Sequence, residues 1–323
     1  MVPQAQVGAE PQNERGIGIN ISSWHDPAFE KIGTNGPRSR PYTKICCLWT
    51  LPENAALGTR SAMTANAPVP ISCTIITKNE VDRIGDCIRA VQRLVDEVVV
   101  IDSGSTDDTV KIAESLGARV IYHDWPGYGP QKRYAEDMAK NDWILNLDAD
   151  ELVLPELYEE IKALMASRPE LDCYRMRIRN VYPGQDKPRL WADYHNYVRL
   201  YDRTKVRFRE SKVHDTVDTK SERVGQLNGA VAHYSARSYA HIRAKLDSYT
   251  DLQAKVLKKP SWTLWARVPF EYPLVFIRYF IVRRHFTGGW DGLYSSHLAA
   301  EARIKRLFKF LEAKKMQKTG GRG

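Results

Sequence analysis

The chain has 323 residues, 43% of them hydrophobic and 27% charged, which is typical of a globular protein with one large or two modest domains. Its net charge of +9 favours an anionic partner, such as a nucleotide, a phosphorylated glycan, an acidic membrane or a nucleic acid. The five cysteines show neither a disulfide framework nor a metal-binding spacing. We therefore predict free thiols and a cytoplasmic, reducing location.

Residues 1–70 differ from the rest of the chain. They are rich in Pro, Gly, Asn and Ser and show no sustained periodicity, so we predict a disordered or loosely packed segment. Met63, just before the first predicted strand, is a candidate start of translation. Residues 1–30 lack the apolar core of a signal peptide.

From Ile71 onward, strands and helices alternate at intervals of about twenty residues, which predicts a doubly wound α/β domain over residues 71–238. The run Glu97–Asp102 is almost continuously apolar, as in strands buried within a parallel sheet. The predicted strands are Ile71–Thr77, Glu97–Asp102, Ala118–Tyr122 and Trp143–Leu147. The predicted helices are Arg83–Leu94, a helix capped by Ser105 or Thr106 and ending at Leu116, Pro130–Met138 and Pro155–Ser167.

The second half of the chain has a different sequence pattern. Cys173–Tyr182 alternates between apolar and basic residues through most of its length, which predicts a strand with one solvent-exposed, basic face. That face contacts either an acceptor substrate or only water. Short β segments follow to Tyr234, and residues 239–323 are helical and increasingly basic. The apolar stretch Val268–Val282 is too short and too charged to span a bilayer.

Polar residues follow three of the predicted strands, and in open α/β sheets ligands bind beyond such carboxyl ends. Asp148 and Asp150 follow the fourth strand, where they predict a divalent cation against a diphosphate, the alternative being an ordinary surface turn. Asp102 is placed to accept from a base N–H or a ribose hydroxyl, although Asp102 and Ser105 can also simply cap a helix. The three ends are Thr77-Lys-Asn-Glu80, Asp102-Ser-Gly-Ser-Thr-Asp-Asp108 and Asp148-Ala-Asp-Glu151.

These motifs, in this order, resemble glycosyltransferase family 2, the inverting enzymes that bind nucleotide-diphospho-sugars. The resemblance implies an α/β, GT-A fold with a mostly parallel sheet flanked by helices, here followed by a helical basic C-terminal extension. It also implies that Asp102 contacts uracil and that Asp148 and Asp150 hold a divalent cation, Mn²⁺ or Mg²⁺. Lys132 is expected to neutralise a phosphate, the alternative being a solvated helix residue. The expected nucleotide-binding residues are Thr77, Asn79, Glu80, Asp102, Ser103, Lys132 and Asp148.

Three further segments narrow the resemblance to the lipopolysaccharide-core β-1,4-glucosyltransferases: Trp125–Lys132, Val213–Asp215 and Ala232–Ser235. Inverting transfer needs a carboxylate base, and Asp215 is the candidate, although the family pattern suggests Glu there and an ordinary loop acid is the alternative. His214 and His233 are each a candidate third metal ligand or diphosphate donor, the alternative being a packed or hydrogen-bonded histidine, and His233 is taken as the metal ligand.

The expected reaction is inverting transfer of a sugar, with glucose as the expected donor sugar, from a UDP-sugar to a lipopolysaccharide-core heptose or similar lipid-linked glycan. The aromatic and basic residues of 262–286 and the basic tail predict peripheral contact with the anionic inner face of the cytoplasmic membrane. The alternatives are a non-catalytic nucleotide-sugar-binding scaffold and a family relative that glycosylates a peptide or another acceptor. No nucleic-acid partner is expected, because the sequence shows no RNA-binding signature.

Overall fold

The computed structural model describes residues 68–212, 215–219, 222–254 and 264–320. Residues 1–67, which include Met63 and nearly all of the predicted disordered segment, lie outside the described residues. That expectation therefore stays a prediction.

The first half of the sheet follows the predicted alternation of strand and helix. The described residues form one sheet of eight strands, which are numbered in chain order. Across the sheet the strands lie in the order β3-β2-β1-β4-β7-β6-β8-β5, and the first four of that order are parallel to one another. Strands β2 and β4 are buried along most of their length, which explains their apolar runs. These strands are β1 (Val69–Thr77), β2 (Val95–Asp102), β3 (Arg119–Tyr122) and β4 (Trp143–Asp148), and the helices are α1 (Ile84–Val91), α2 (Thr109–Ser115), α3 (Tyr128–Met138) and α4 (Pro155–Ala166).

The predicted start of α2 is wrong. Neither Ser105 nor Thr106 caps the helix, which begins at Thr109 after Asp108. The carboxylate of Asp102 accepts the backbone amides of Gly104 and Ser105, each at 2.9 Å, and so holds residues 103–106 as a loop. The prediction failed because the groups it relied on have other partners: Ser105 Oγ accepts the amide of Asn79 at 2.9 Å, and the amide of Thr106 donates to Asn79 Oδ1 at 2.8 Å.

The second half of the sheet is mixed. Strands β6 (Cys173–Asn180), β7 (Tyr194–Asp202) and β8 (Val224–His233) follow, with β7 antiparallel to both β4 and β6. A short strand that sequence analysis did not predict, β5 (Glu151–Val153), pairs with β8 so that Glu151 lies opposite His233. This pairing brings the end of β8 beside the acidic pair that follows β4.

The sheet has two faces with different coverings. On the first face, α1, α2 and α4 build the main core, in which Cys73, Ile88 and Leu157 are completely buried. On the second face, α3 packs Ala135 against Ile76. Alternation along β4 therefore directs Leu145 and Leu147 to the first face, and Ile144, Asn146 and Asp148 to the second.

The predicted free thiols are confirmed for the described part of the chain. Cys73, Cys87 and Cys173 are buried and unpaired. Burial raises the pKa of the Cys87 thiol, which therefore stays protonated and packs as a small apolar group. Cys46 and Cys47 lie outside the described residues.

The C-terminal region is helical, as predicted. It comprises α5 (Tyr239–Ala254), α6 (Val268–Ile277), a π-helical turn (Arg278–Val282), a 3₁₀ turn (His285–Gly288) and α7 (Gly289–Gly320). The segment between β6 and β7 joins this region: Gln185 Nε2 donates to Asp291 Oδ2 at 2.7 Å, and Arg189 donates to the carbonyl oxygens of Arg283 and Arg284. Across the described ranges, none of the helices has both the length and the apolar character needed to cross a membrane.

Two glycines let the start of α3 approach the segment 209–212. The amide of Gly129 donates to Ser211 O at 3.0 Å, and a Cβ at position 129 would lie 2.0 Å from Arg209 O. Gly127 has φ +124°, and a Cβ there would lie 2.7 Å from Lys212 Cα. This close approach sets the position of residues 209–212, which precede Asp215 in the sequence.

We expect Gly129→Ala to lower the free energy of unfolding by about 2 kcal/mol, because backbone atoms must move to admit the methyl group. The control is Gly85→Ala in α1, where the nearest contact is the flexible end of Arg89 at 3.1 Å and alanine favours the helix. Chemical denaturation measures both variants. Equal stability of the two would contradict the assigned role of Gly129.

Candidate active site

The three polar strand ends meet at one edge of the sheet. In the register of the parallel strands, Thr77 lies opposite Asp102 and Ile76 lies opposite Asp148. The predicted nucleotide and metal residues of β1, β2 and β4 are therefore neighbours in space.

The loop after β1 is tied to the loop after β2. Asn79 has φ 56°, and its side-chain oxygen accepts the amide of Thr106 at 2.8 Å while its own amide donates to Ser105 Oγ at 2.9 Å. The hydroxyl of Thr77 is buried with no hydrogen-bond partner among the described residues. A buried hydroxyl of this kind is normally satisfied, so it is a natural contact for a ligand at this edge.

Asp102 and Ser103 lie at the end of β2 in a polar network. Asp102 is almost completely buried, and its carboxylate shapes the loop through the amides of Gly104 and Ser105. The hydroxyl of Ser103 accepts from Gln131 Nε2 at 3.0 Å, and Gln131 is fully buried on α3. The loop that would meet a base or a ribose is thus held rigid from two sides.

Asp148 lies between two buried cations. Its Oδ1 is 2.9 Å from Lys132 Nζ, and its Oδ2 is 3.0 Å from Arg199 Nη2. Burial alone would favour the protonated acid, but Lys132 and Arg199 outweigh it and hold the pKa of Asp148 below its ordinary value. Asp148 is therefore a fixed carboxylate with both oxygens engaged by protein cations.

Lys132 also contacts the predicted base. It is completely buried, its Nζ is 2.9 Å from Asp215 Oδ2, and it lies 5.2 Å from the centre of the Phe208 ring. The expectation of a solvated helix residue is wrong for Lys132, because α3 directs its side chain into the sheet edge. One ammonium thus joins the carboxylates of Asp148 and Asp215, which are 67 positions apart in the sequence.

Arg199 organises this side of the site and was not predicted from the sequence. It is 5% exposed on β7 and donates to Asn146 Oδ1 at 2.7 Å, to Asp148 and to Glu151 Oε1 at 3.0 Å. Burial and the adjacent Asp148 carboxylate raise the pKa of Glu151, against the opposite effect of Arg199. The sequence did contain a signal for this role: Arg199 interrupts the otherwise apolar and aromatic run Tyr197–Tyr201. An arginine buried in such a strand needs carboxylate partners.

Asp150 and His233 face each other at the end of β5 and β8. His233 Nε2 lies 3.3 Å from Asp150 Oδ2, and His233 Nδ1 lies 3.1 Å from Asn180 Oδ1. Burial opposes protonation of His233, but the Asp150 carboxylate outweighs it and raises the pKa of the ring. Arg83 Nη1 lies 3.3 Å from the same Asp150 oxygen.

The spacing of these two donor atoms suits a divalent cation, which would have to displace the proton that Asp150 favours on His233, because only a neutral imidazole can bind a metal. Two ligands at about 2.1 Å from a metal and at right angles lie about 3 Å apart, and a ligating histidine usually donates its other nitrogen to an oxygen such as that of Asn180. Within the described ranges, no group of three or more His, Cys, Asp or Glu side chains is arranged to hold a metal alone. A cation here would therefore take its remaining ligands from substrate oxygens and water. His214 lies outside the described residues.

Glu80, predicted to contact the nucleotide, is 2% exposed and is paired with arginines. Its carboxylate accepts from Arg83 Nε at 2.7 Å and from Arg237 Nη2 at 3.1 Å. Arg237 also donates to Asn79 O, and Arg83 donates to Tyr234 O. Glu80 therefore links the loop after β1 to the chain that leaves β8, which sequence analysis did not anticipate.

Comparison with known proteins gives consistent results. The model of glycosyl transferase family 2 matches residues 72–221. The chain is 41% identical over 256 residues to an "uncharacterized glycosyltransferase" of Rickettsia bellii, covering 75% of this chain and 86% of that protein. It is 27% identical to the lipopolysaccharide core biosynthesis glycosyltransferase LpsC of Rhizobium meliloti, and the match covers 77% of this chain and 92% of LpsC. A solved structure of glucosyl-3-phosphoglycerate synthase from Mycobacterium tuberculosis matches with 25% identity and a TM-score of 0.30. This match covers 40% of this chain and 51% of that structure's chain.

The Lys132 bridge generates a prediction for stability. Lys132→Met should destabilise the fold by about 3 kcal/mol, because the partly buried carboxylates of Asp148 and Asp215 lose the cation that they share. Asp215→Asn should cost less, and the double variant should lose less than the sum, with a coupling energy of about 1–2 kcal/mol in urea denaturation.

The control for this cycle is the exposed pair Lys140 and Asp96, whose charged atoms are 2.8 Å apart at the opposite edge of the sheet. Solvent screens such a pair, so Lys140→Met and Asp96→Asn should show no measurable coupling. Additive losses for Lys132→Met and Asp215→Asn would mean that the bridge contributes nothing to the fold.

Proposed function

The chain belongs to glycosyl transferase family 2 and has the GT-A fold, and from this premise we propose that it transfers a sugar, with inversion, from a UDP-sugar to a lipid-linked glycan. The observation that carries the proposal is the Lys132 bridge, which places a donor-site carboxylate, Asp148, and a candidate base, Asp215, on one buried cation. Glucose is the proposed donor sugar and a lipopolysaccharide-core heptose the proposed acceptor.

The donor nucleotide is proposed to bind across the ends of β1 and β2. The base and ribose would meet Asp102, Ser103, Thr77 and Asn79, where the buried Thr77 hydroxyl is available as a hydrogen-bonding group. The diphosphate would lie toward β4, where Lys132 supplies a fixed positive charge. Because Lys132 is already positioned, its charge needs no reorganisation when the leaving group departs.

Asp150 and His233, with Asp148 beside them, are the proposed residues for a Mn²⁺ or Mg²⁺ ion, which when bound would offset the negative charge of the diphosphate. His233 is held in the required orientation by Asn180. Lys132 and Arg199 together hold the pKa of Asp148 below its ordinary value, so that its carboxylate stays ionised and oriented.

Asp215 is the proposed general base. Its carboxylate would take the proton of the acceptor hydroxyl as that oxygen bonds to the anomeric carbon, while the bond from this carbon to the diphosphate oxygen breaks. The new bond forms on the face opposite to the leaving group, so the configuration inverts in one step. The contact with Lys132 holds one Asp215 oxygen, and 22% of the side chain remains accessible to an acceptor.

The acceptor is proposed from similarity and from the protein surface. The relative LpsC is named for lipopolysaccharide core biosynthesis, which supports a core glycan as acceptor. Helix α6 and the following π-helical turn present an exposed stripe of four apolar side chains at helical spacing, which we call the apolar stripe: Phe270, Leu274, Ile277 and Ile281.

Basic residues adjoin the apolar stripe. Arg278 and Arg284 are exposed beside it, and Trp290 is 84% exposed at the start of α7. Exposed aromatic and apolar groups next to arginines suit the interface of an anionic bilayer. We therefore propose peripheral binding to the inner face of the cytoplasmic membrane, where a lipid-linked acceptor would be present.

Turnover tests the proposed reaction. UDP release from a panel of UDP-sugars, with Mn²⁺ or Mg²⁺, should require a heptose-containing core lipid. Asp215→Asn should lower kcat by about 10²–10⁴-fold while UDP still binds, because only the proton transfer is lost. Asp150→Ala should remove the metal-dependent part of the rate.

The control for these variants is Asp96→Ala, which changes an exposed carboxylate at the far edge of the sheet and should leave kcat unchanged. Full activity of Asp215→Asn would assign the base role to another residue. Nucleotide binding without turnover on any glycan acceptor would instead support a nucleotide-sugar-binding scaffold.

Vesicle flotation tests the membrane proposal. The wild-type protein should float with phosphatidylglycerol vesicles and not with phosphatidylcholine vesicles. Leu274→Glu with Ile277→Glu should abolish flotation, because two carboxylates would face an anionic surface. Arg89→Gln with Arg93→Gln, on α1 and the turn after it, changes the net charge equally and should still float. Flotation of the stripe variant would rule out this surface.

A further inference from the structure

Strand β6 carries an arginine row, defined as Arg175, Arg177 and Arg179, that the proposed reaction leaves unexplained. Successive residues of a strand point to opposite faces, so these three share one face, while Tyr174, Met176 and Ile178 pack into the main core on the other. Side chains two positions apart lie about 7 Å from each other, so the row is about 13 Å long.

The arginine row lies on the second face of the sheet, the face of Asp148. Cys173, two positions before Arg175, packs with Ile144, which is on the same side of β4 as Asp148. Strand β7 lies between β6 and β4, so the row is about 10 Å from the β4 backbone. The far end of the row lies at the same end of the sheet as the site, because Arg179 pairs with Ala232, the residue before His233.

The row has no acidic partner. Among the described residues, none of the three arginines forms an ion pair. Arg177 donates to Asn228 O at 3.1 Å and lies 5.3 Å from the centre of the Tyr194 ring. The Nε atom of Arg179 is buried without a described hydrogen-bond partner. The arginines at the acidic strand ends, Arg83, Arg199 and Arg237, are each paired with carboxylates, and the row differs from them in this respect.

The neighbouring strands extend the row into a surface suited to a glycan. Opposite the row on β7 lie Asn196 and Tyr194, and Tyr194 is 49% exposed. Asn196 bonds to the exposed Gln226 of β8 at 2.7 Å. Amide groups and an aromatic ring bind sugar hydroxyls and ring faces, whereas unpaired guanidinium groups bind phosphate or carboxylate in pairs of hydrogen bonds.

We infer that the arginine row binds anionic groups of the acceptor glycan, and that the acceptor is therefore a phosphorylated or otherwise acidic oligosaccharide. This inference rests on the proposed function and names the substrate class of the same site. The glycan lies along β6 with its acidic groups on the row, and its reacting hydroxyl extends past Arg179 toward Asp215. Charge complementarity carries the argument, since the row offers three positive charges with no internal acid to compete.

Binding of a lipid-free probe tests the inference. The probe is a deacylated lipopolysaccharide-core oligosaccharide that carries its phosphates, compared with the same oligosaccharide after phosphatase treatment. In isothermal titration calorimetry with UDP present, the wild-type protein should bind the phosphorylated form at least about 10-fold more tightly, as expected for charge-assisted hydrogen bonds. Arg175→Gln with Arg177→Gln should remove this preference and leave the affinity for the treated form unchanged.

The control is Arg89→Gln with Arg93→Gln, which makes the same charge change on the opposite face of the sheet and should keep the preference. UDP affinity and melting temperature, measured for all variants, separate a lost contact from a misfolded protein. Absence of UDP binding to the wild type would overturn the proposed function. UDP binding with no preference for phosphate, or a preference that survives in Arg175→Gln with Arg177→Gln, would overturn this inference alone.

A membrane role for the row is the competing outcome. If Arg175→Gln with Arg177→Gln abolished flotation with phosphatidylglycerol vesicles while binding of the lipid-free oligosaccharide stayed unchanged, the row would serve lipid headgroups and the inference would be wrong. Unchanged flotation together with the lost phosphate preference is the expected result.

Discussion

The arrangement of the site depends on one buried ammonium group. Lys132 has no solvent contact, and such a charge is tolerated only when carboxylates surround it. It therefore constrains Asp148 at the end of β4 and Asp215 on a separate segment to meet at one point. The glycine contact of Gly129 with Ser211 brings α3 and that segment close enough for this contact to form. A strand end, a helix and a connecting segment are thus fixed relative to one another by one side chain.

A second set of cations divides the acidic pair into two roles. Arg199 completes the neutralisation of Asp148, whereas Asp150 faces His233 and Arg83. Two acids one residue apart in the sequence therefore differ in their surroundings. Asp148 has its oxygens engaged by protein cations, and Asp150 faces an imidazole nitrogen. Local motif spacing cannot distinguish these roles, because they depend on strands that arrive from the second half of the chain.

The parts of the fold predicted from sequence are those encoded by local patterns. Apolar runs and their alternation located β1 to β4, and the acidic residues after them marked the site edge. The missed features are non-local. The strand at Glu151 is only three residues long and exists because β8 pairs with it. The cap expected at Ser105 does not form because its hydroxyl accepts the amide of Asn79, from the loop after β1. Arg199 was missed because its partners lie about fifty residues earlier in the sequence.

The contacts of the segment between β6 and β7 affect how this protein can be recombined with its relatives. Arg189 and Gln185 hold the backbone of Arg284 and the side chain of Asp291, although about one hundred residues separate them in the sequence. The helical C-terminal region is thus fitted to one particular connection in the sheet. A chimera that exchanges the C-terminal helices alone would join surfaces that were never matched. The exchangeable unit is discontinuous, and it comprises residues 182–193 together with the C-terminal helices.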